Sequence, residues 1–92
     1  MGVDLTKFEV VKSSLEALFK EVNLDKPNRR FVFNDGKHSS ELVFTREFID
    51  DITVDRLKAY MEKNIVPQLK ANPGKRVSVS TGWIGVSEKD SS

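Results

Sequence analysis

The chain nearly repeats itself at its midpoint. Pro27-Asn28-Arg29-Arg30-Phe31-Val32-Phe33 returns 46 residues later as Pro73-Gly74-Lys75-Arg76-Val77-Ser78-Val79. At the same offset Asp4 meets Asp50, Lys12 meets Lys58, Glu16 meets Glu62 and Gly36 meets Gly82. Each half therefore reads as an amphipathic helix, a proline break, a basic pair and a strand that ends at glycine. Six of the 46 aligned pairs are identical, against roughly three by chance, so the apolar register carries more of the argument than identity does. Phe8 aligns with Val54, Val11 with Leu57, Leu15 with Met61, Phe19 with Ile65, Phe31 with Val77 and Phe33 with Val79. An internal αββ duplication, 1–46 and 47–92, and two similar units of separate origin give the same layout.

The units are built from local signals. Thr6-Lys7-Phe8-Glu9 has the form of a capping box, and Phe8, Val11, Leu15, Leu18, Phe19 and Val22 recur at steps of three and four. That spacing predicts a helix running to about Val22, followed by a polar linker from Asn23 to Asn28 with Pro27 inside it. Arg30-Phe31-Val32-Phe33 and Glu41-Leu42-Val43-Phe44-Thr45 flank Asn34-Asp35-Gly36-Lys37, a hairpin signature. A tight turn sets His38 opposite Phe33 and a wider loop sets Leu42 there; in both registers Phe31, Phe33, Leu42 and Phe44 share one face.

Phe48, Ile49 and Ile52 make the connector too apolar for a solvated loop, so part of it is expected to pack as a helical turn or strand extension. Thr53 caps a second helix with the stripe Leu57, Met61, Ile65 and Leu69. Pro67 lies within that helix and predicts a kinked or separately wound end. Beyond it, Val77 and Val79 alternate with serines, and Ile84 and Val86 resume the alternation after Thr81-Gly82 with a change of parity. A two-residue turn pairs Val79 with Ile84 and Val77 with Val86; one long strand bulged at Gly82 is the alternative over 76–87.

Two one-sided helices and four one-sided strands predict an α+β two-layer sandwich in αββαββ order, with both helices on one face of a four-stranded, mainly antiparallel sheet. A single domain is expected over 1–87, with 88–92 as a disordered tail.

Fifteen Lys and Arg against 14 Asp and Glu leave a net charge of +1, so no global field draws in nucleic acid or an anionic membrane. The absence of cysteine removes disulfides, thiol catalysis and cysteine-based zinc sites, and fits a cytoplasmic setting. No apolar run reaches the length of a signal h-region or a membrane span. Gly2 with Thr6 formally fits a myristoylation pattern, but the helix cap accounts for Thr6.

Period-two alternation sends Arg30, Val32, Glu41, Val43, Arg76, Ser78, Ser80 and Trp83 to the face away from the helices. An exposed tryptophan and two valines rimmed by arginines have the composition of a binding surface. A plain solvated face with Trp83 folded over a neighbour is the bland reading. A protein partner or a second copy is favoured over nucleic acid; the alternative is a single-stranded nucleic-acid module, with Trp83 stacking a base and a basic patch of Arg29, Lys37 and Lys75 beside Arg30 and Arg76 on phosphates. Asp35, His38, Ser39 and Ser40 have the residue types of a hydrolytic triad, but neighbours in one hairpin loop point apart, and they read as a polar turn. Asp50-Asp51 reads as charge at a helix N-terminus. One histidine without cysteine builds no His/Cys zinc site, and the five scattered glycines make no phosphate loop. No catalytic residue, metal or cofactor is expected.

Overall fold

The computed structural model describes residues 5–88 as an α+β fold. Helix α1 (Leu5–Glu16) leads into β1 (Lys20–Asp25), a 3-10 turn (Lys26–Asn28), β2 (Arg30–Asn34) and β3 (Ser39–Phe44). The chain then crosses through α2 (Arg46–Asp51), α3 (Val54–Tyr60), a π-helical stretch (Met61–Ile65) and α4 (Val66–Ala71) before β4 (Lys75–Ser80) and β5 (Trp83–Glu88). The sheet has five strands in the order β1-β2-β3-β4-β5. Three of its ladders are antiparallel and the central one, β3 with β4, is parallel, because the helical crossover returns the chain in the direction it left. No helix among the described residues is long and apolar enough to cross a membrane.

The expected four strands become five. The first helix stops at Glu16 in a tight turn, where the Phe19 amide donates to the Leu15 carbonyl at 2.7 Å, and Lys20–Asp25 is a strand rather than helix end and linker. Leu18, Phe19 and Val22 fit a helical stripe, but Val22 and Leu24 also alternate with Glu21 and Asn23. Tertiary contact selects that second pattern: Phe19 packs on Phe33 at 4.6 Å, and Val22 is buried. α1 begins at Leu5, two residues before Thr6 as cap would allow, so Thr6 lies in its first turn. Glu88 ends β5 and is not tail; 89–92 lie outside the described residues.

In the first hairpin Phe33 faces Ser40, a register between the two expected. The loop explains it: Asp35 Oδ1 accepts from the Lys37 and His38 amides at 2.8 and 2.7 Å, which holds four residues, 35–38, outside the ladder. Gly36 takes the positive φ there. Phe31, Phe33, Leu42 and Phe44 nevertheless share the buried face, each at most 1% exposed. The second hairpin has the two-residue turn, with Val79 opposite Ile84 and Val77 opposite Val86. Gly82 carries φ +90° and Thr81 is not among the positive-φ residues, so the β-branched side chain is unstrained.

One apolar cluster holds the helices to the sheet. Val11 and Leu15 of α1 and Leu57 of α3 meet Phe31, Phe33, Leu42, Phe44, Val77 and Val79 of the strands. Five aromatic rings form a continuous chain across it: Phe8, Phe31, Phe44, Phe48 and Tyr60, with centroids 5.4–6.2 Å apart. The apolar connector is α2, capped by Thr45 Oγ1 accepting from the Phe48 amide at 3.3 Å, with Phe48 and Ile49 buried. Lys7 of α1 ties it down by donating to the Ile49 carbonyl at 2.6 Å.

The crossover helix changes its winding. Thr53 caps α3 by accepting from the Arg56 amide at 3.2 Å. Leu57, Met61, Ile65 and Leu69 are all at most 2% exposed, yet steps of four drift by about 40° each on a 3.6-residue helix. Pro67 has no amide to donate back to Lys63, and the wider π turn at 61–65 absorbs both the missing bond and the drift.

Candidate functional site

The register of the four ladders places Arg30, Val32, Glu41, Val43, Arg76, Ser78, Ser80 and Trp83 on the side of the sheet opposite the helical layer. They form rows across the strands: Arg30 beside Val43 and Ser78, and Val32 beside Glu41 and Arg76. Most are half-buried by their neighbours. Trp83, at the start of the edge strand, is 58% exposed.

Trp83 lies over Gly85. A Cβ built on Gly85 would collide with the indole Cζ3, so the glycine supplies the flat ground on which the ring rests. The ring is folded onto its own strand and still presents more than half its surface. Gly85, two residues from Trp83, was the available sequence signal for this arrangement.

The arginines are committed to carboxylates. Arg76 Nε donates to Glu41 Oε1 at 2.9 Å across the parallel ladder, and Arg30 donates to Asp25 Oδ2 at 3.0 Å across β1 and β2. Lys75 pairs with Glu88. Arg29, held at φ +50°, donates to the Phe44 carbonyl at 3.3 Å. Lys37 sits in the β2–β3 loop near the start of β3, whereas Arg29 lies at the other end of that strand, about 17 Å away for six extended residues. Arg29, Lys37 and Lys75 are therefore not brought together as one patch, and the positions Arg30 and Arg76, equivalent by the sequence offset, share a structural role: each neutralises an acid on the preceding strand.

Asp35, His38, Ser39 and Ser40 do not converge. The Asp35 carboxylate is spent on its own loop amides. Ser40, 6% exposed, accepts from the Gly74 amide at 2.8 Å and ties the two halves together. Among the described residues no group of three or more His, Cys, Asp or Glu side chains is placed to hold a metal ion.

Two carboxylates titrate low. The loop amides of His38 and then Lys37 hold Asp35 below the ordinary aspartate value of 3.8, and the Asn28 side-chain amide, helped by Arg30, does the same for Asp25. A depressed folded pKa means stability present above pH 3.8 and lost as pH falls through the folded values. Carbon-detected titration is expected to place both midpoints below 3.8, with Asp35→Asn keeping the turn and removing its share of the acid dependence. A midpoint at or above the ordinary value would show that the loop amides do not hold the carboxylate in solution.

β5 differs from the opposite edge of the sheet. β1 is bulged between Lys20 and Asn23, with Glu21 at φ +52°, a device that spoils an edge for further pairing. β5 pairs with β4 in an unbroken register from Lys75–Glu88 to Ser80–Trp83. Among the described residues it has no bulge, and it carries exposed apolar groups on both faces. Val86, on the helical side, is 40% exposed although its partner Val77 is fully buried, because the helices reach β1 and β4. Comparison with protein-family models, curated proteins and solved structures finds no match to this chain.

Proposed function

We propose that this domain works by binding rather than catalysis, and that its partner is a second copy of the same chain, joined along the outer edge of β5. The observation that carries this reading is the pairing of Trp83, 58% exposed on one face of β5, with Val86, 40% exposed on the other. Apolar groups on both faces of an unspoiled edge strand are the composition of a sheet continued by another strand.

The edge is self-complementary in one antiparallel register. Centring two β5 strands on Gly85 sets Ile84 opposite Val86 of the second copy on the helical side, and Trp83 opposite Ser87 on the other. Glu88, the one charged residue of β5, then falls opposite Gly82, so no like charges meet. A centre on Val86 instead sets Ile84 against Glu88, burying an acid against an apolar group. The nucleic-acid reading requires Arg30, Arg76 and Lys75 to leave their carboxylates before they serve phosphates, which weighs against it. The cysteine-free composition supports a reducing, cytoplasmic setting.

Edge pairing buries little area, so the dimer is expected to be of about 10–100 μM affinity. Sedimentation equilibrium is expected to show a monomer–dimer equilibrium in that range. A chain that stays monomeric at about 1 mM contradicts the proposal, and binding of a short oligonucleotide that shifts residues 29–33 and 75–84 would favour the nucleic-acid reading instead.

A further inference from the structure

A second feature stands apart from the sheet edge. A groove of about 610 Å³ opens between the α2–α3 junction, the π-helical stretch and the β4–β5 turn. Its floor is apolar, formed by Phe48, Ile52, Ala59 and the Tyr60 ring, which lies 5.4 Å from Phe48. Arg56 and Lys63 stand on its rim with Asn64, and Asp51 is the single carboxylate among its lining residues.

The polar groups there are unspent. The Arg56 and Lys63 side chains and the Tyr60 hydroxyl make no hydrogen bond or ion pair with another described residue, unlike Arg30, Arg76 and Lys75 on the sheet. The winding of the helix matters to their placement. Lys63 and Asn64 belong to the π turn, whose extra width rotates them relative to an α-helical continuation of α3, and they line the same groove as Arg56 about two turns earlier. A pocket of this size with an apolar floor and a few convergent donors has the dimensions and chemistry of a single small-ligand site.

We infer that this groove binds a small amphipathic carboxylate, its aryl or short acyl body lying on Phe48, Ile52 and Tyr60 and its carboxylate held by Arg56 and Lys63. Two cations against one acid select an anion over a cation or a neutral amide, and a volume of about 610 Å³ suits a small molecule better than a helix or strand. The guanidinium offers paired donors to the carboxylate, and the lysine adds a point charge. The inference stands independently of self-association, because none of its apolar lining belongs to β5.

The probe is 4-phenylbutyrate, with 4-phenylbutyramide as the uncharged control, followed by amide shift mapping of the full chain. The carboxylate is expected to bind at about 1 mM or tighter, with shifts gathered at residues 48–64 and 81–82, and the amide at least about tenfold more weakly. Arg56→Gln combined with Lys63→Gln is expected to weaken the carboxylate at least about tenfold and leave the amide unchanged. Both side chains are exposed, so the fold withstands the change; Tyr60→Phe supplies a second variant, expected to keep the body's binding. No shift at about 20 mM, equal binding of acid and amide, or a double variant that keeps its affinity overturns the inference.

Discussion

Phe31→Ala is expected to cost about 3–5 kcal/mol and to lower Tm by at least about 12 °C. Phe31 is fully buried, and its ring is the link between layers: it meets Phe8 of α1 edge-on at 6.2 Å and Phe44 of β3 at the same distance and 89°. Truncation removes the ring's transfer free energy and leaves a cavity that β2, held on both sides by β1 and β3, cannot collapse into. It also breaks the aromatic chain that continues through Phe48 to Tyr60. Against a total of about 5–15 kcal/mol for a domain of this kind, one substitution takes a large share. Val32→Ala, on the adjacent position of the same strand but the helix-free side, is expected to cost less than about 1.5 kcal/mol. Calorimetric unfolding of the two variants checks the contrast, and equal losses would show that the buried face is not the one assigned.

Val86→Lys is expected to weaken self-association at least about thirtyfold while moving monomer stability by less than about 1 kcal/mol. In the Gly85-centred register residue 86 faces Ile84 of the second copy twice over, so the change puts two ammonium groups into the apolar side of the joint, each without an acid opposite. Because Val86 is 40% exposed in the monomer, little of the chain's own core is lost. Trp83→Ser tests the other face of the strand and is expected to weaken association by a smaller factor, since the ring rests partly on Gly85 of its own chain. Arg76→Glu, though on the same face, is a poor probe: it sets two carboxylates against each other where Arg76 now meets Glu41 at 2.9 Å, and it would strain the central parallel ladder. Sedimentation and thermal unfolding on the same samples separate the two effects; a Val86→Lys variant that dimerises like wild type places the interface elsewhere.

What was legible in the chain follows the strength of its local signals. Alternation identified β2 to β5 and their buried face, because a wrong parity would expose Phe31, Phe33 and Phe44 together. β1 was hidden because Val22 fits the helical stripe of Leu18 and Phe19 as well as the alternation with Leu24, and the choice lies in a contact between Phe19 and Phe33 that sequence spacing does not contain. The first hairpin's register depended on Asp35 bonding two loop amides, a side-chain event rather than a backbone turn type. Pro67 did carry a change of winding, expected at the end of the helix, whereas the wider turn lies just before it at Met61–Ile65. The parallel join of β3 and β4 follows from where the helical crossover lands, which no local pattern encodes.

The same division holds for the candidate surface. Alternation alone placed Arg30, Val32, Val43, Arg76, Ser78, Ser80 and Trp83 on one face. It gave no means of seeing that Asp25 and Glu41 claim the two arginines, since both acids lie on other strands and Asp25 sits on the strand that was missed. The groove beside the π turn was equally out of reach, because Phe48, Arg56, Tyr60 and Lys63 meet only once α2 folds back on α3.

Pairing of the outer edge of β5 with itself is read out by amide hydrogen exchange measured across a dilution series. On raising the concentration from about 10 μM to 1 mM, alternate amides of 83–88 are expected to slow together, while those of β1 keep one rate throughout. Exchange in β5 that is independent of concentration, or protection that appears at β1 instead, would contradict it.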